Sequence, residues 1–178
     1  MAPTSTTSEP AGAAPGHPDA KAEFAGYFAA GLAKGNRDEF MAHFLPRVAP
    51  DVRYRQPLAR RGFGHAGFRR MFDGVFAAAP DLHGVVHRWG PTEDGVLVEF
   101  TLAGTLGGRP VSIDIVDRIV LREGVMASND TYFDPIPLLP SLLRHPILSL
   151  RLLPRFFPSA TERAARLEHE SAEATARR

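Results

Sequence analysis

The stretch from Leu82 to Phe133 holds four extended segments, Leu82 to Trp89, Val96 to Thr105, Val111 to Leu121 and Val125 to Phe133. They are separated by the turn signals Gly90-Pro91, Gly107-Gly108 and Glu123-Gly124. Connections this short cannot carry a crossover helix, so these strands run antiparallel and a βαβ nucleotide-binding fold is excluded. Ahead of them the apolar residues keep a helical period. Phe24, Tyr27, Phe28 and Leu32 share one face between Ala20 and Lys34, and Gly35-Asn36 supplies a stop. Phe40, Met41 and Phe44 repeat the pattern from Asp38 to Leu45, so the first two helices should pack as a hairpin. Phe68, Met71, Phe72, Val75 and Phe76 mark a third helix within Gly62 to Ala79, closed by Pro80. Before it, Val52, Tyr54 and Gln56 alternate with Arg53 and Arg55 in a short strand that Pro57 ends. The fold class expected is α+β, with three N-terminal helices packed on a curved antiparallel sheet.

With 178 residues, 44% of them hydrophobic, the chain can bury one core, and residues 20–135 hold all of the periodic segments. Residues 1–19, after Met1, carry no large apolar side chain and are expected to be a disordered tail. They lack a basic region followed by an apolar run, so no secretory leader is read and a cytoplasmic location is expected. Lys and Arg number 21 against 20 Asp and Glu, which removes a global electrostatic case for nucleic acid as a partner. There is no cysteine, so thiolate nucleophiles, disulfide frameworks and Cys-type zinc sites are excluded. Chemistry must come from carboxylates, histidines, hydroxyls or amides.

Residues 136–158 change character, with twelve Leu, Ile or Phe and five Pro in twenty-three residues. Arg144, Arg151, Arg155 and the prolines interrupt this stretch too often for it to span a bilayer. Its apolar side chains must cover something: the pocket mouth as a lid, a second copy of the chain, or, more weakly, a membrane surface. Ser159 to Glu162 is a capping-box sequence for a weak terminal helix within 159–178, whose one large apolar residue is Leu167.

Candidate chemistry is found by asking which polar side chains interrupt an apolar strand face. In the segment Val111 to Leu121 one face reads Val111, Ile113, Ile115, Asp117, Ile119, Leu121. A carboxylate in that row loses hydration, which raises its pKa and makes it a candidate catalyst, unless a neighbouring arginine or loop amides neutralise it. The last segment places Val125, Ala127, Asn129, Thr131 and Phe133 on one face, so Asn129 and Thr131 interrupt an apolar row and can share a concave surface with Asp117. Alternatively Asn129 ends the strand or bonds backbone. Tyr54 and Gln56 face the same way as Val52, and Phe100, Leu102 and Gly104 form another row, where the glycine leaves room for a ligand. His65 reads as a helix-start or surface residue. His83 and His87 share a strand face but lack a third ligand at plausible spacing, so no metal site is assigned. The arginines Arg53, Arg55, Arg60, Arg61, Arg69 and Arg70, interspersed with Asp51 and Asp73, read as a solvated face.

Several local sequences, in this order, resemble the SnoaL-like, nuclear transport factor 2-like superfamily. They are Tyr27-Phe28-Ala29-Ala30 through Gly35-Asn36, Gly64-His65-Ala66-Gly67-Phe68-Arg69, Pro80-Asp81-Leu82, Arg122-Glu123-Gly124 and Tyr132-Phe133-Asp134-Pro135. The resemblance covers about Phe24 to Pro135. It implies a cone-like sheet whose helices enclose a deep apolar pocket, and a repertoire of polyketide cyclases, ketosteroid isomerases, epoxide hydrolases, dehydratases and non-catalytic binding or dimerising modules. By its distance from Gly108-Arg109, Asp117 matches the protonated aspartic acid that donates to the oxyanion in ketosteroid isomerase. Phe28 falls where that enzyme has its oxyanion tyrosine and Gln56 where it has its base, and both departures count against steroid isomerisation. The acidic and arginine positions of limonene epoxide hydrolase would fall at Phe100, Val98 and Thr131. The resemblance therefore implies acid–base chemistry by Asp117, without cofactor or metal, on a small hydrophobic carbonyl compound, with Asn129, Tyr54, Gln56, Phe28, Phe100 and Thr131 lining the site. The alternative is a ligand-binding or dimerisation module of the same fold. It also implies a homodimer through the outer sheet face, where Val116 and Val120 sit among polar neighbours.

Overall fold

The computed structural model describes residues 18–57 and 59–138, with isolated positions 140, 164 and 167 beyond them. Almost all of the expected tail, the apolar segment 136–158 beyond its first residues, and the terminal helix thus lie outside the described residues. Helix α1 spans Pro18–Leu32, starting two residues before the expected boundary, and proline is tolerated in a first helical turn because its missing N–H would be unpaired there. Phe24, Phe28 and Leu32 point from it into the core at 1, 4 and 7% exposure. Helix α2 is Arg37–Phe44; Asn36 caps it, its side-chain oxygen accepting from Glu39 N at 2.9 Å. The chain then turns into β1, Val48–Gln56.

Strand β2, Ala59–Phe63, folds back on β1, and α3 begins only after it, at Gly64–Ala78. The expected third helix therefore starts two residues late. Gly64 takes φ +69° at this strand-to-helix corner, a conformation that favours glycine. Strands β3 (His83–Pro91), β4 (Gly95–Leu106), β5 (Arg109–Arg122) and β6 (Val125–Phe133) follow as an antiparallel meander. The β4–β5 and β5–β6 turns use positive φ at both central residues, Gly107-Gly108 and Glu123-Gly124, matching the twist of the strands they join.

The six strands are ordered β2-β1-β6-β5-β4-β3 in one curved, unclosed sheet. It is mixed rather than wholly antiparallel, because β1 pairs with β6 in parallel, Tyr54 opposite Asn129 and Arg55 opposite Asp130. That join carries the N-terminal strands to the far side of the meander. The cross-strand row Val96, Ile119, Asn129, Tyr54, Gly62 consequently runs through five strands.

One irregularity changes which residues face inward. On β6, Ser128 pairs with Val120 but Met126 pairs with Leu121, so Ala127 is an extra residue in the ladder. Strict alternation would put Val125 and Ala127 on the concave face with Asn129. The bulge puts Met126 there instead, at 2% exposure. The core fills the space between this face and the three helices, with Val96, Val98, Phe100, Ile115 and Ile119 meeting Phe24, Phe28, Phe68 and Met71. Burial of these side chains is the main stabilising contribution.

Candidate functional site

Beneath the helices the concave face leaves a cavity of about 90 Å³. Its walls are mostly apolar, from Phe28 on α1 and Phe40 and Phe44 on α2 to Phe68, Met71 and Phe72 on α3, with Phe100 and Ile115 from the sheet. Into this lining project Asp117, Asn129, Thr131, Tyr54 and Gln56. All seven site residues expected from the sequence, Asp117, Asn129, Thr131, Tyr54, Gln56, Phe28 and Phe100, thus line one cavity. Alternation alone could not find Met126, which also lines it, because the bulge at Ala127 is silent in a polar–apolar pattern.

Asp117 is the one charged residue buried in the core among the described residues, at 4% exposure. Strand pairing fixes its neighbours, with Val98 on one side and Thr131 on the other. Its Oδ2 accepts a hydrogen bond from Asn129 Nδ2 at 2.8 Å. No arginine or loop amide meets it among the described residues, and Oδ1 has no hydrogen-bond partner there. The Asn129 amide oxygen is likewise buried and unpartnered. Loss of water is the largest influence on the carboxyl and raises its pKa from 3.8 to about 6. The Thr131 hydroxyl and the Asn129 amide pull the other way, by favouring the ionised form, and the charge of Asp130 adds to the rise. A carboxyl so tuned can take up and release a proton near neutral pH.

Gln56 Nε2 donates to Met71 Sδ at 2.6 Å, tying β1 to α3 across the cavity. A thioether is a weak acceptor, so this amide can be released to a better one. Tyr54 lies edge-on to Phe68 and fits against Gly62, where a Cβ would overlap its ring. Tyr54 and Arg55 also line an outer cleft of about 330 Å³, shared with Arg53, Arg61 and Asp130. The Tyr54 ring therefore stands between the two spaces.

The histidines fall elsewhere. His65 Nε2 meets Val48 O at 2.7 Å, tying the start of α3 to β1. His83 contacts Asp81 O at 3.0 Å and His87 contacts Thr101 Oγ1 at 2.7 Å, each in its own local pairing. Among the described residues no group of three or more His, Asp or Glu could hold a metal ion. Of the expected solvated arginine face, Arg55 is held by Asp130 at 3.2 Å and Arg37, outside that stretch, holds Asp73 at 2.7 Å. No helix among the described residues is long and apolar enough to cross a membrane.

No curated protein matches the chain. Among solved structures, a candidate SnoaL-like polyketide cyclase from Jannaschia sp. CCS1 superposes with a TM-score of 0.61 at 17% identity, covering 69% of this chain and 91% of that one. AclR, a candidate hydroxylase from Streptomyces galilaeus, gives 0.58 at 22% identity over 70% and 98% of the two chains. An LEH-like epoxide hydrolase from M. tuberculosis gives 0.57 at 18% identity over 74% and 96%. At such identities these likenesses establish the shared fold. The SnoaL-like domain model matches residues 24–129, from the first core aromatic of α1 to the amide beside Asp117. On that match, over more than half of its length, the chain belongs to the SnoaL-like family.

Proposed function

We propose that the cavity is the active site of an acid–base enzyme that cyclises or isomerises a small hydrophobic, carbonyl-bearing substrate. The observation that carries this reading is the Asp117 carboxylate, buried in an apolar cavity with one oxygen unpaired. As the anion, Asp117 takes a proton that the carbonyl makes acidic, and the electron pair moves onto the carbonyl oxygen. The proton then returns to a different carbon in an isomerisation; in a cyclisation the enolate carbon attacks a second carbonyl, and Asp117 gives the proton to the alkoxide oxygen so formed. Asn129 holds the carboxylate in place through Oδ2. Gln56, freed from the Met71 sulfur, can offer an N–H to the oxygen that gains charge. Such proton transfer requires no cofactor.

The fold is shared with cyclases, hydroxylases and epoxide hydrolases, which is consistent with this chemistry without selecting among the substrates. The test begins with native mass spectrometry to identify any co-purifying hydrophobic ligand. That compound, or a plain cyclic monoketone as a slowly exchanging surrogate, is then incubated in D₂O. The reading expects protein-dependent deuterium incorporation at the acidic carbon, lost in Asp117→Ala. Stoichiometric binding with no exchange above buffer would identify a binding module of the same fold instead.

A further inference from the structure

The outer cleft of about 330 Å³ gathers three arginines, Arg53, Arg55 and Arg61, and Asp130 is the one acid among its described lining residues. Strand pairing explains how they meet. Phe63, Arg53 and Ser128 form one cross-strand row over β2, β1 and β6; in the next, Arg55 lies opposite Asp130 on β6 and is faced from β2 by Arg60 and Arg61. Arg53, Arg55 and Arg61 are all exposed. Charge on an edge strand can deter pairing with another chain, and that would account for Arg61 on β2. It leaves out Arg53 and Arg55, because β1 is paired on both sides and has no edge to guard. Like charges gathered in one concavity are unfavourable unless an anion occupies it. We propose that this cleft binds a phosphate monoester of a small organic molecule, its dianionic phosphoryl group held by Arg53, Arg55 and Arg61 with the Ser128 hydroxyl as a further donor. The site is separate from the chemistry proposed for the cavity and does not depend on Asp117.

Charge and geometry both select a phosphoryl group. Three arginines against one aspartate leave the described lining with an excess of two positive charges. A phosphate monoester carries about −1.5 to −2 at neutral pH and matches that excess, whereas a carboxylate or a phosphodiester carries half as much. The planar guanidinium fork also fits two phosphate oxygens at once. Arg55 is set in place before any ligand arrives: it donates from Nε to Asp130 at 3.2 Å and from Nη2 to the Tyr132 hydroxyl at 3.0 Å, and its guanidinium carbon lies 5.8 Å from the centre of the Tyr132 ring. Such anchoring lowers the ordering entropy that binding must overcome. Asp130, the one unfavourable neighbour for an anion, is already engaged by this arginine. Arg61 forms no ion pair among the described residues, so its charge is uncompensated there. The cleft reaches the lower end of the range for small-molecule sites, roughly 300–1,000 Å³, and the half-buried Phe63 gives an organic body an apolar surface to lie on.

The experiment adds phenyl phosphate, its methyl ester, inorganic phosphate, or sodium chloride at matched ionic strength to the full chain at pH 8. NMR follows the Ser128 amide, the Nε–H groups of Arg53, Arg55 and Arg61, and the Met126 methyl in the inner cavity. Phenyl phosphate should shift the Ser128 and arginine signals saturably and leave Met126 unmoved. It should bind about tenfold tighter than its singly charged methyl ester, and more tightly than inorganic phosphate, which has no ring to meet Phe63. Arg61→Gln should weaken phenyl phosphate about tenfold or more with the urea midpoint unchanged, and Arg61→Lys, which keeps the charge and loses the fork, should fall between. No saturable shift, shifts that sodium chloride reproduces, equal affinity for the ester and its methyl ester, or an affinity indifferent to Arg61→Gln each overturn the proposal. Inorganic phosphate bound as tightly as phenyl phosphate overturns the organic ester, and a shift centred on Met126 overturns the placement in this cleft. A thymidine oligonucleotide that displaces phenyl phosphate at lower concentration overturns the small-molecule assignment in favour of nucleic acid. None of these signals depends on deuterium exchange at the cavity, so failure here leaves the reading of Asp117 standing, and failure of that reading leaves the cleft untouched.

Discussion

Replacing Asp117 with asparagine should make the protein more stable at neutral pH, although it removes the residue on which the proposed chemistry depends. The carboxyl titrates at about 6 in the folded chain against an ordinary 3.8. Because the folded state holds the proton more tightly, this group supports folding fully below pH 4. That support is lost as pH rises through about 6 and the buried carboxyl ionises. The difference of about two pKa units corresponds to about 3 kcal/mol. Asparagine keeps the shape, carries no charge, and offers an N–H to the unpartnered Asn129 Oδ1. Urea unfolding of wild type and Asp117→Asn from pH 4 to pH 8 should show the variant gaining by as much as about 3 kcal/mol. The gain should open between pH 4 and 6 and level off above 7. For a domain of this size that corresponds to roughly 6–12 °C in Tm. A stability difference that stays constant across this range would show that Asp117 is not held above its ordinary pKa, and the premise of a tuned acid–base group would fail with it.

Met126→Ala should cost about 2–5 kcal/mol in chemical denaturation while Val125→Ala costs far less, reversing the order that strict alternation along β6 would give. Gly62→Val should displace the Tyr54 ring and destabilise by about 1–3 kcal/mol, and a double-mutant cycle with Tyr54→Ala should show that most of the loss arises from that one contact. On the outer sheet face Val85, Leu97, Val116 and Tyr132 are exposed, and we expect this surface to pair two copies of the chain. Sedimentation should then give a dimer for the wild type and a monomer for Val116→Lys combined with Leu97→Lys; a monomeric wild type refutes the pairing.

The helices and the meander were legible because each obeys a local rule, the 3–4 spacing of Phe24, Phe28 and Leu32 or the alternation around Asp117. The same alternation exposed Asp117 itself, since one acid in a row of isoleucines stands out without knowledge of any partner. Strand β2 did not stand out. Its run Ala59-Arg60-Arg61-Gly62 has no apolar alternation, and what makes it a strand is its pairing to β1. The parallel join of β1 to β6 was equally hidden, because it links residues some 75 positions apart and has no local signature. Nor could alternation along one strand tell which acceptors remain unpaired. That depends on Asn129 giving its N–H to Oδ2 and no donor reaching Oδ1, an outcome of packing among β1, β5 and β6.

The extra residue in β6 reconciles an odd spacing with a single face. Ala127 contributes almost nothing by its side chain; its role is to shift the parity of the strand, so that Met126 and Asn129, three positions apart, both face inward. Exchanging it for another small residue should leave the cavity as it is. Deleting it removes the bulge and keeps the faces: Met126 and Ser128 become neighbours opposite Leu121 and Val120, and plain alternation then holds Met126, Asn129 and Thr131 inward together. The Asn129 amide resonance should therefore still follow the titration of Asp117 in the deletion variant, and an Asn129 amide uncoupled from that titration would refute this parity. In a family of this fold, one residue more or less at this point would alter the bend of the strand while leaving the inward set unchanged.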